Sequence, residues 1–498
     1  MNLLDNFLNK FTMYKIVLFG LFFLVIISFI YSFFGVLFYS PIELVFSLFL
    51  LLISGFLINY IFSKFFKVSI NPESSIITSL ILFFILIPSS KIGDVWIYVL
   101  ASLLAIGSKY LLALNKKHIF NPAALSLTAL GLLGIPFISW WIGNSDLFIF
   151  VLLVGLIIIR KVRKFQMFLV YFLFALISIS IFAFINNREI ISVLKEATLS
   201  YPILFLGAVM LIEPFTSPPK IKTQIIYASI VGFLSGAQYN FGFIHSSPEL
   251  ALLIGNIYAY SVSFRKRLEL QLLETKKLAE NIYEFVFTKP DKFSYISGEY
   301  LEWTLGGFRP DIRGSRRFFT ISSSPTEKNI KIGIRIGDRP SAFKKKLLHL
   351  TKGDKIYANN LAGDFVLRKN KKYVFIAGGI GITPFRSMIK SAIDKNEKLD
   401  AVLFYSCSKE GEFVYSQLFE TARNLGVKTI YICSNPSIKF SGLKGRIDVN
   451  LLKNEVPDYK NRYFYLSGPN TLVSNFKKEL IKLKITPKKI ITDYFSGY

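Results

Sequence analysis

Hydrophobic and polar positions follow two regimes that change at about residue 267. Before it, apolar runs recur at 15–34, 41–62, 74–89, 93–114, 123–142, 147–159, 166–185, 201–213, 223–243 and 249–264. Most approach the roughly 20 residues a helix needs to cross a bilayer; the third, sixth and eighth are shorter. The expected architecture is about ten membrane spans. No small-residue cleavage site follows the first run, which therefore reads as a retained helix. Beyond 267 the pattern turns to short alternating segments at 282–287, 298–303, 318–321 and 330–336, strands of an antiparallel barrel. A helix is predicted over 342–350 with Ser341 as its N-cap. From 373 the order becomes strand, turn, helix, with strands at 373–377, 399–405, 429–433 and 463–466 and a helix at 385–395. The predicted fold is multi-domain: a polytopic helical membrane domain over 1–267, a β-barrel over 268–370, and an α/β parallel-sheet domain over 371–498.

Charge sharpens this picture. The 498 residues carry a formal charge of +27, yet much of the excess sits in loops between apolar runs. With ten spans and an inside N-terminus, the inner loops hold Lys64, Lys67, Lys116, Lys117, Arg160, Lys161, Arg163, Lys164, Lys220, Lys222 and Arg265 to Arg267. The outer loops pair Lys91, Arg188 and Lys195 with Asp94, Glu189 and Glu196. That asymmetry predicts a multi-pass protein of the cell membrane with both termini and everything after 267 in the cytoplasm. It reads as topology rather than a nucleic-acid footprint, and no nucleic-acid partner is expected. Cys407 and Cys433 are too few for a four-thiolate cluster, and His118 and His245 do not form the pairs a membrane haem needs.

Three stretches carry candidate chemistry. Arg316 to Pro325 sets two guanidiniums beside two phenyl rings and a run of hydroxyls, a combination that can clamp phosphate and cover a ring. Gly378-Gly379-Ile380-Gly381-Ile382-Thr383-Pro384 follows a buried strand, where glycines let a pyrophosphate approach the backbone. Within the apolar half, His118 to Ala124 and Gly207 to Pro219 bring Asn121, Pro122, Glu213, Pro214 and Thr216 to membrane depth, where polar groups mark cavities or sites.

The Phe-Asn-Pro-Ala-Ala segment at 120–124 and the Gly-Ala…Glu-Pro-Phe-Thr-Ser-Pro segment at 207–218 resemble the D subunit of the Rnf electron-transport complex and the homologous B subunit of the sodium-pumping NADH:quinone reductase. Glu213 stands where that family usually has Asp. The Ser-Gly-Ala-Thr-like segment that carries covalent FMN in relatives is missing; the region reads Ile138-Ser139-Trp140-Trp141, so covalent FMN is not carried over.

Arg317-Phe318-Phe319-Thr320-Ile321-Ser322-Ser323, followed by the glycine turn, resembles the ferredoxin–NADP reductase superfamily. The resemblance implies FAD: Arg317 on its pyrophosphate, Phe319 over the flavin, Thr320 near flavin N5, with Ser323 and Ser341 completing the site. It implies NADH or NADPH at Gly378, Gly379, Gly381, Thr383, Pro384, Ser406, Ser467, Gly468 and Pro469. Thr320 and Ser467, which replaces a common Cys, face the reacting rings, and Tyr498 is a candidate flavin cover. Together the halves imply a membrane-bound flavin-dependent NAD(P)H oxidoreductase that passes electrons to a quinone, a flavin or a partner redox protein, with ion transport as a coupled step. The alternatives are a nucleotide-gated ion transporter and a membrane half that only anchors a reductase.

Overall fold

The computed structural model describes residues 3–8, 10–67, 72–114, 117–242, 244–264, 267–311, 313–438 and 440–493. The chain forms two compact units, Phe11–Arg265 and a second made of Met1–Lys10 with Lys266–Tyr498.

The first unit is mainly helical, and its helices start where a capping side chain precedes an apolar run. Thr12 caps Met13–Phe33, a Ser40–Glu43 capping box opens Pro41–Phe65, Asn121 caps Pro122–Leu132 and Ser247 caps Pro248–Val262. Proline at the first helical position lacks only an N–H that has no helical partner. Asn121-Pro122 therefore opens a helix and breaks none.

Among the described residues, four helices are long and apolar enough to cross a membrane: Met13–Phe33, Pro41–Phe65, Ile92–Leu111 and Phe165–Ile185. A fifth is added if Ile190–Ser200 and Ile203–Leu211, bent by 56°, count as one span. The expected ten are not reached, and helix length is the reason. Pro72–Ile85 and Pro122–Leu132 have 14 and 11 residues, too short for a hydrocarbon core of about 30 Å at about 1.5 Å per residue. Each gives way to extended chain that meets the other at Leu86 and Ile138, while Trp141 donates its indole N–H to the Phe83 carbonyl. Phe148–Val162, Ile221–Gly236 and Pro248–Val262 stop at 15, 16 and 15 residues.

Small residues let these helices touch. A Cβ at Gly232 would lie 2.4 Å from the Tyr171 carbonyl oxygen, and one at Gly236 would lie 2.6 Å from that of Ala175. Close backbone approach is how apolar helices gain packing where the hydrophobic effect is weak. Gly232→Leu is expected to part Phe165–Ile185 from Ile221–Gly236 and lower the thermal midpoint of the detergent-solubilised protein; an unchanged midpoint counts against this contact.

Among its described residues, the second unit holds two six-stranded sheets. The first is antiparallel, in the order Arg316–Thr320, Tyr300–Thr304, Lys355–Ala362, Leu268–Ala279, Ile282–Thr288, Asn329–Arg335. Its outer strands are linked just past Thr320, where Ser322 N donates to Lys331 O and Lys331 N to Ser323 Oγ. Leu268–Ala279 and Lys355–Ala362 were absent from the sequence expectation. The second sheet is parallel, in the order Leu443–Lys444, Val427–Cys433, Ala401–Cys407, Tyr373–Gly378, Tyr463–Ser467, Ile490–Asp493. Strand order reverses between Tyr373–Gly378 and Tyr463–Ser467, the switch point where an open parallel sheet leaves a crevice at its carboxyl ends. Phe375, Phe385, Leu403 and Tyr405 fill one face of this sheet, and Ile376, Phe404, Leu466 and Phe476 the other.

Candidate functional site

Alternation along Arg316–Thr320 sends Arg317 inward and leaves Phe318 on the outer face. Arg317, 2 % exposed, lies 5.2 Å over the Phe343 ring, and Phe319 on the same face sits 6.0 Å from that ring. Its Nη1 donates to the carbonyls of Arg313 at 2.7 Å, Gly314 at 3.1 Å and Arg316 at 2.6 Å. Ser341 caps the next helix, Ala342–Leu348, by accepting from Lys344 N. The first N–H of that helix, at Ala342, donates to Asp311 Oδ2 at 3.0 Å. Asp311 is also paired with Arg313 at 2.9 Å and lies 3.8 Å from Arg317. Burial, then the Arg317 and Arg313 charges, pushes the Lys344 ammonium down to about 8. Two guanidiniums thus share one carboxylate with a third cation close to them, an excess of positive charge suited to a diphosphate.

Thr320 is buried and its Oγ1 donates to Asp493 Oδ2 at 3.4 Å. Asp493 is the register partner of Ser467 in the parallel sheet. The structure therefore brings Thr320, from one sheet, to Ser467, from the other, through an aspartate that sequence reading passed over in favour of the terminal aromatic. Tyr498 itself lies outside the described residues.

The glycines of the turn are required by the turn beside it. Gly379 has φ +53°, and a Cβ at Gly381 would lie 2.5 Å from the Ser467 carbonyl and 2.6 Å from Gly468 Cα. Gly378 faces Pro469 in the same way, at 2.9 Å. Ser406 is the register partner of Gly378 on the neighbouring strand. Thr383 and Pro384 are buried at the start of Thr383–Lys395, where Thr383 donates to the Ile380 carbonyl. Arg335, a residue not expected here, reaches over the turn: its Nη1 is 3.8 Å from where a Gly379 Cβ would stand.

A buried polar joint ties the two sheets together. Arg386 donates to the Ser322 carbonyl at 3.0 Å and pairs in bidentate fashion with Glu327, which also accepts from Ser324 N and Lys331 Nζ. Burial pushes the Glu327 carboxyl up, but Arg386 and then Lys331 outweigh it and hold it at about 2. Ser387 donates to the Ser323 carbonyl at 2.6 Å, and the Ser323 hydroxyl is engaged by Tyr295 and Lys331 N. Ser323 thus serves the joint.

In the first unit the expected polar residues gather. Asn121 Nδ2 donates to Glu213 at 3.0 Å, Thr216 Oγ1 donates to it at 3.3 Å, and His118 lies 3.7 Å away. Asn256 accepts from Asn121 N and donates to the Thr216 carbonyl and Tyr227. Asn121, Pro122, Glu213 and Pro214 line a small cavity of about 50 Å³. Lys109, missed although it is a lone cation in an apolar helix, also lines it and donates to Ser74 and Thr78. Glu213 follows a π-helical turn, Leu206–Leu211, of the kind that recurs at functional sites.

A nucleotide crevice at the switch point of a parallel sheet defines a dinucleotide-binding class, and residues 375–478 match the family described as the oxidoreductase NAD-binding domain. The chain is 25 % identical over 240 residues to a flavohemoprotein of Oceanobacillus iheyensis, covering 46 % of this chain and 58 % of that one. It is 26 % identical over 203 residues to the glycine betaine monooxygenase reductase subunit of Pseudomonas aeruginosa, 39 % of this chain and 54 % of that one. The chain thus spans about half the length of these curated relatives. Among solved structures, the FAD/NAD-binding domain of Vibrio cholerae nitric oxide dioxygenase aligns with TM-score 0.40 and 19 % identity, over 46 % of this chain and 98 % of that one.

Proposed function

We propose that the chain is a membrane-bound, flavin-dependent NAD(P)H oxidoreductase, with residues 1–267 as the membrane domain, 268–370 as the FAD domain and 371–498 as the NAD(P) domain. The observation that carries this reading is the meeting of Thr320 with Ser467 through Asp493 at the sheet's switch point. Arg317 and Arg313 would hold the FAD diphosphate, with Phe319 and Phe343 as its aromatic wall. When bound, the flavin supplies a two-electron acceptor able to release electrons singly or in pairs. Gly378, Gly379 and Gly381 leave backbone open to the dinucleotide's phosphates, and Arg335 adds a cation beside them. Ser467 to Pro469 limit how far the nicotinamide end can move, and the Arg386–Glu327 joint keeps Thr320 and Ser467 in register and water out.

The acceptor would be a quinone, a flavin or a partner redox protein; likeness to a monooxygenase reductase subunit supports the last. Four helices long and apolar enough to cross a bilayer support a location in the cell membrane. The Glu213 cluster and its cavity favour a second reading, in which nucleotide binding gates ion movement. Purified protein in detergent should contain flavin whose visible absorption bleaches on adding NADH or NADPH; no flavin and no bleaching sinks the oxidoreductase reading. Ion flux in liposomes without NAD(P)H consumption would favour the gated transporter. Arg317→Ala is expected to weaken FAD retention about 10–100-fold, the loss of a charged hydrogen-bonding group, measured as flavin per protein after dialysis.

A further inference from the structure

Sheet order assigns a direction to any dinucleotide in this crevice. Ser467, with Thr320 behind it through Asp493, lies on one side of the Gly378–Gly381 turn. Ala401–Cys407 and Val427–Cys433 lie on the other. If the nicotinamide end meets Ser467 and the pyrophosphate meets the glycine turn, the adenosine ribose falls at the carboxyl end of Ala401–Cys407.

Glu412 waits there. Its carboxylate accepts from Ser408 N at 3.2 Å and pairs with Arg335 Nη2 at 2.5 Å. Arg335 is the guanidinium that overhangs Gly379, so one ion pair spans the crevice from the phosphate turn to the ribose position. Neighbouring Glu410 accepts from Ser437 N at 2.6 Å, adding a second carboxylate between the same two strand ends. Of the local cations, Lys409 is exposed and uses its backbone carbonyl to receive Glu412 N, and Lys444 and Arg446 lie past Val427–Cys433.

We propose that Glu412 makes this chain select NADH over NADPH: it accepts a hydrogen bond from a free ribose 2′-hydroxyl and repels a 2′-phosphate. A carboxylate at the end of the second strand suits a ribose diol, whereas a 2′-phosphate asks for an arginine. Arg335 does not fill that need, because Glu412 already pairs with it and the glycine turn gives it a pyrophosphate to meet. The proposal rests on the oxidoreductase reading, and it makes NADH the donor.

Binding tests it without turnover. The full-length protein in detergent is titrated calorimetrically with ADP-ribose and with 2′-phospho-ADP-ribose. ADP-ribose is expected to bind about a hundredfold tighter, the scale of like-charge rejection. Glu412→Gln, which keeps hydrogen-bonding capacity and removes the charge, should bring the two within about tenfold, chiefly by improving the phosphorylated ligand. Glu412→Ser should narrow the gap in the same direction, with retained flavin reporting that the fold survives. Equal or tighter binding of 2′-phospho-ADP-ribose to the unaltered protein overturns the proposal and leaves the oxidoreductase reading standing. An unchanged ratio in both variants also overturns it, and failure of both ligands to bind removes the nucleotide site with it.

Discussion

Gly381→Ala is expected to raise the KM for NAD(P)H roughly tenfold while leaving bound flavin unchanged. The added methyl would stand 2.5 Å from the Ser467 carbonyl oxygen and 2.6 Å from both Gly468 Cα and Gly468 N. All of these are backbone-anchored atoms, which cannot turn away as the end of a flexible side chain can. The two turns must separate, at a cost of about 1–3 kcal/mol for an overpacked contact. The separation would fall on the gap proposed for the nicotinamide, whereas Arg317 stands on a strand of the other sheet. Steady-state kinetics together with flavin content checks the claim. A variant that keeps its KM shows that the turns have slack; one that loses flavin shows that the damage spread through the domain.

Arg386→Met is expected to cost about 3–5 kcal/mol of stability at neutral pH, the penalty for stripping one partner from a buried pair. Glu327 would keep Ser324 N and Lys331 but lose its bidentate partner, and the Ser322 carbonyl would lose a donor. The pH dependence follows from the sign of the Glu327 shift. Its carboxyl is held at about 2 in the folded chain, below its ordinary value. The stabilisation is therefore complete above about pH 4.5 and is lost as pH falls toward 2. Denaturant unfolding of the two proteins should differ most at neutral pH and converge through that acid window. A constant difference across it rules out the pair as the source.

Much of the second unit was legible because its signals are local. Phe318 to Ile321 is rich in aromatic and β-branched residues, Gly378 to Pro384 follows an apolar strand, and Ser341 precedes a helix with a capping hydroxyl. Leu268–Ala279 was legible and overlooked: Leu268, Leu270 and Leu272 are buried between outward-facing Glu269 and Gln271. Asp493, Arg335 and Arg386 were not legible, since each acts on a partner far along the chain, such as Thr320, Glu412 or Glu327. In the first unit, apolar runs showed where helices lie but not where they stop. Pro72–Ile85 and Pro122–Leu132 end early because the residues after them pair as extended chain at Leu86 and Ile138, a tertiary event with no local mark. Asn121-Pro122 was expected to open a span, and it begins the helix Pro122–Leu132, with the Asn121 amide on Glu213.

The contact between Thr320 and Asp493 spans 173 residues of sequence and depends on the last strand of the parallel sheet, Ile490–Asp493. Synthesis proceeds from the N-terminus, and contacts between distant segments are slow to form. The helices of the first unit and the antiparallel sheet therefore leave the ribosome before the strand that joins Thr320 to Ser467. The contact that links the two sheets at Thr320 is thus completed only once that strand has been made.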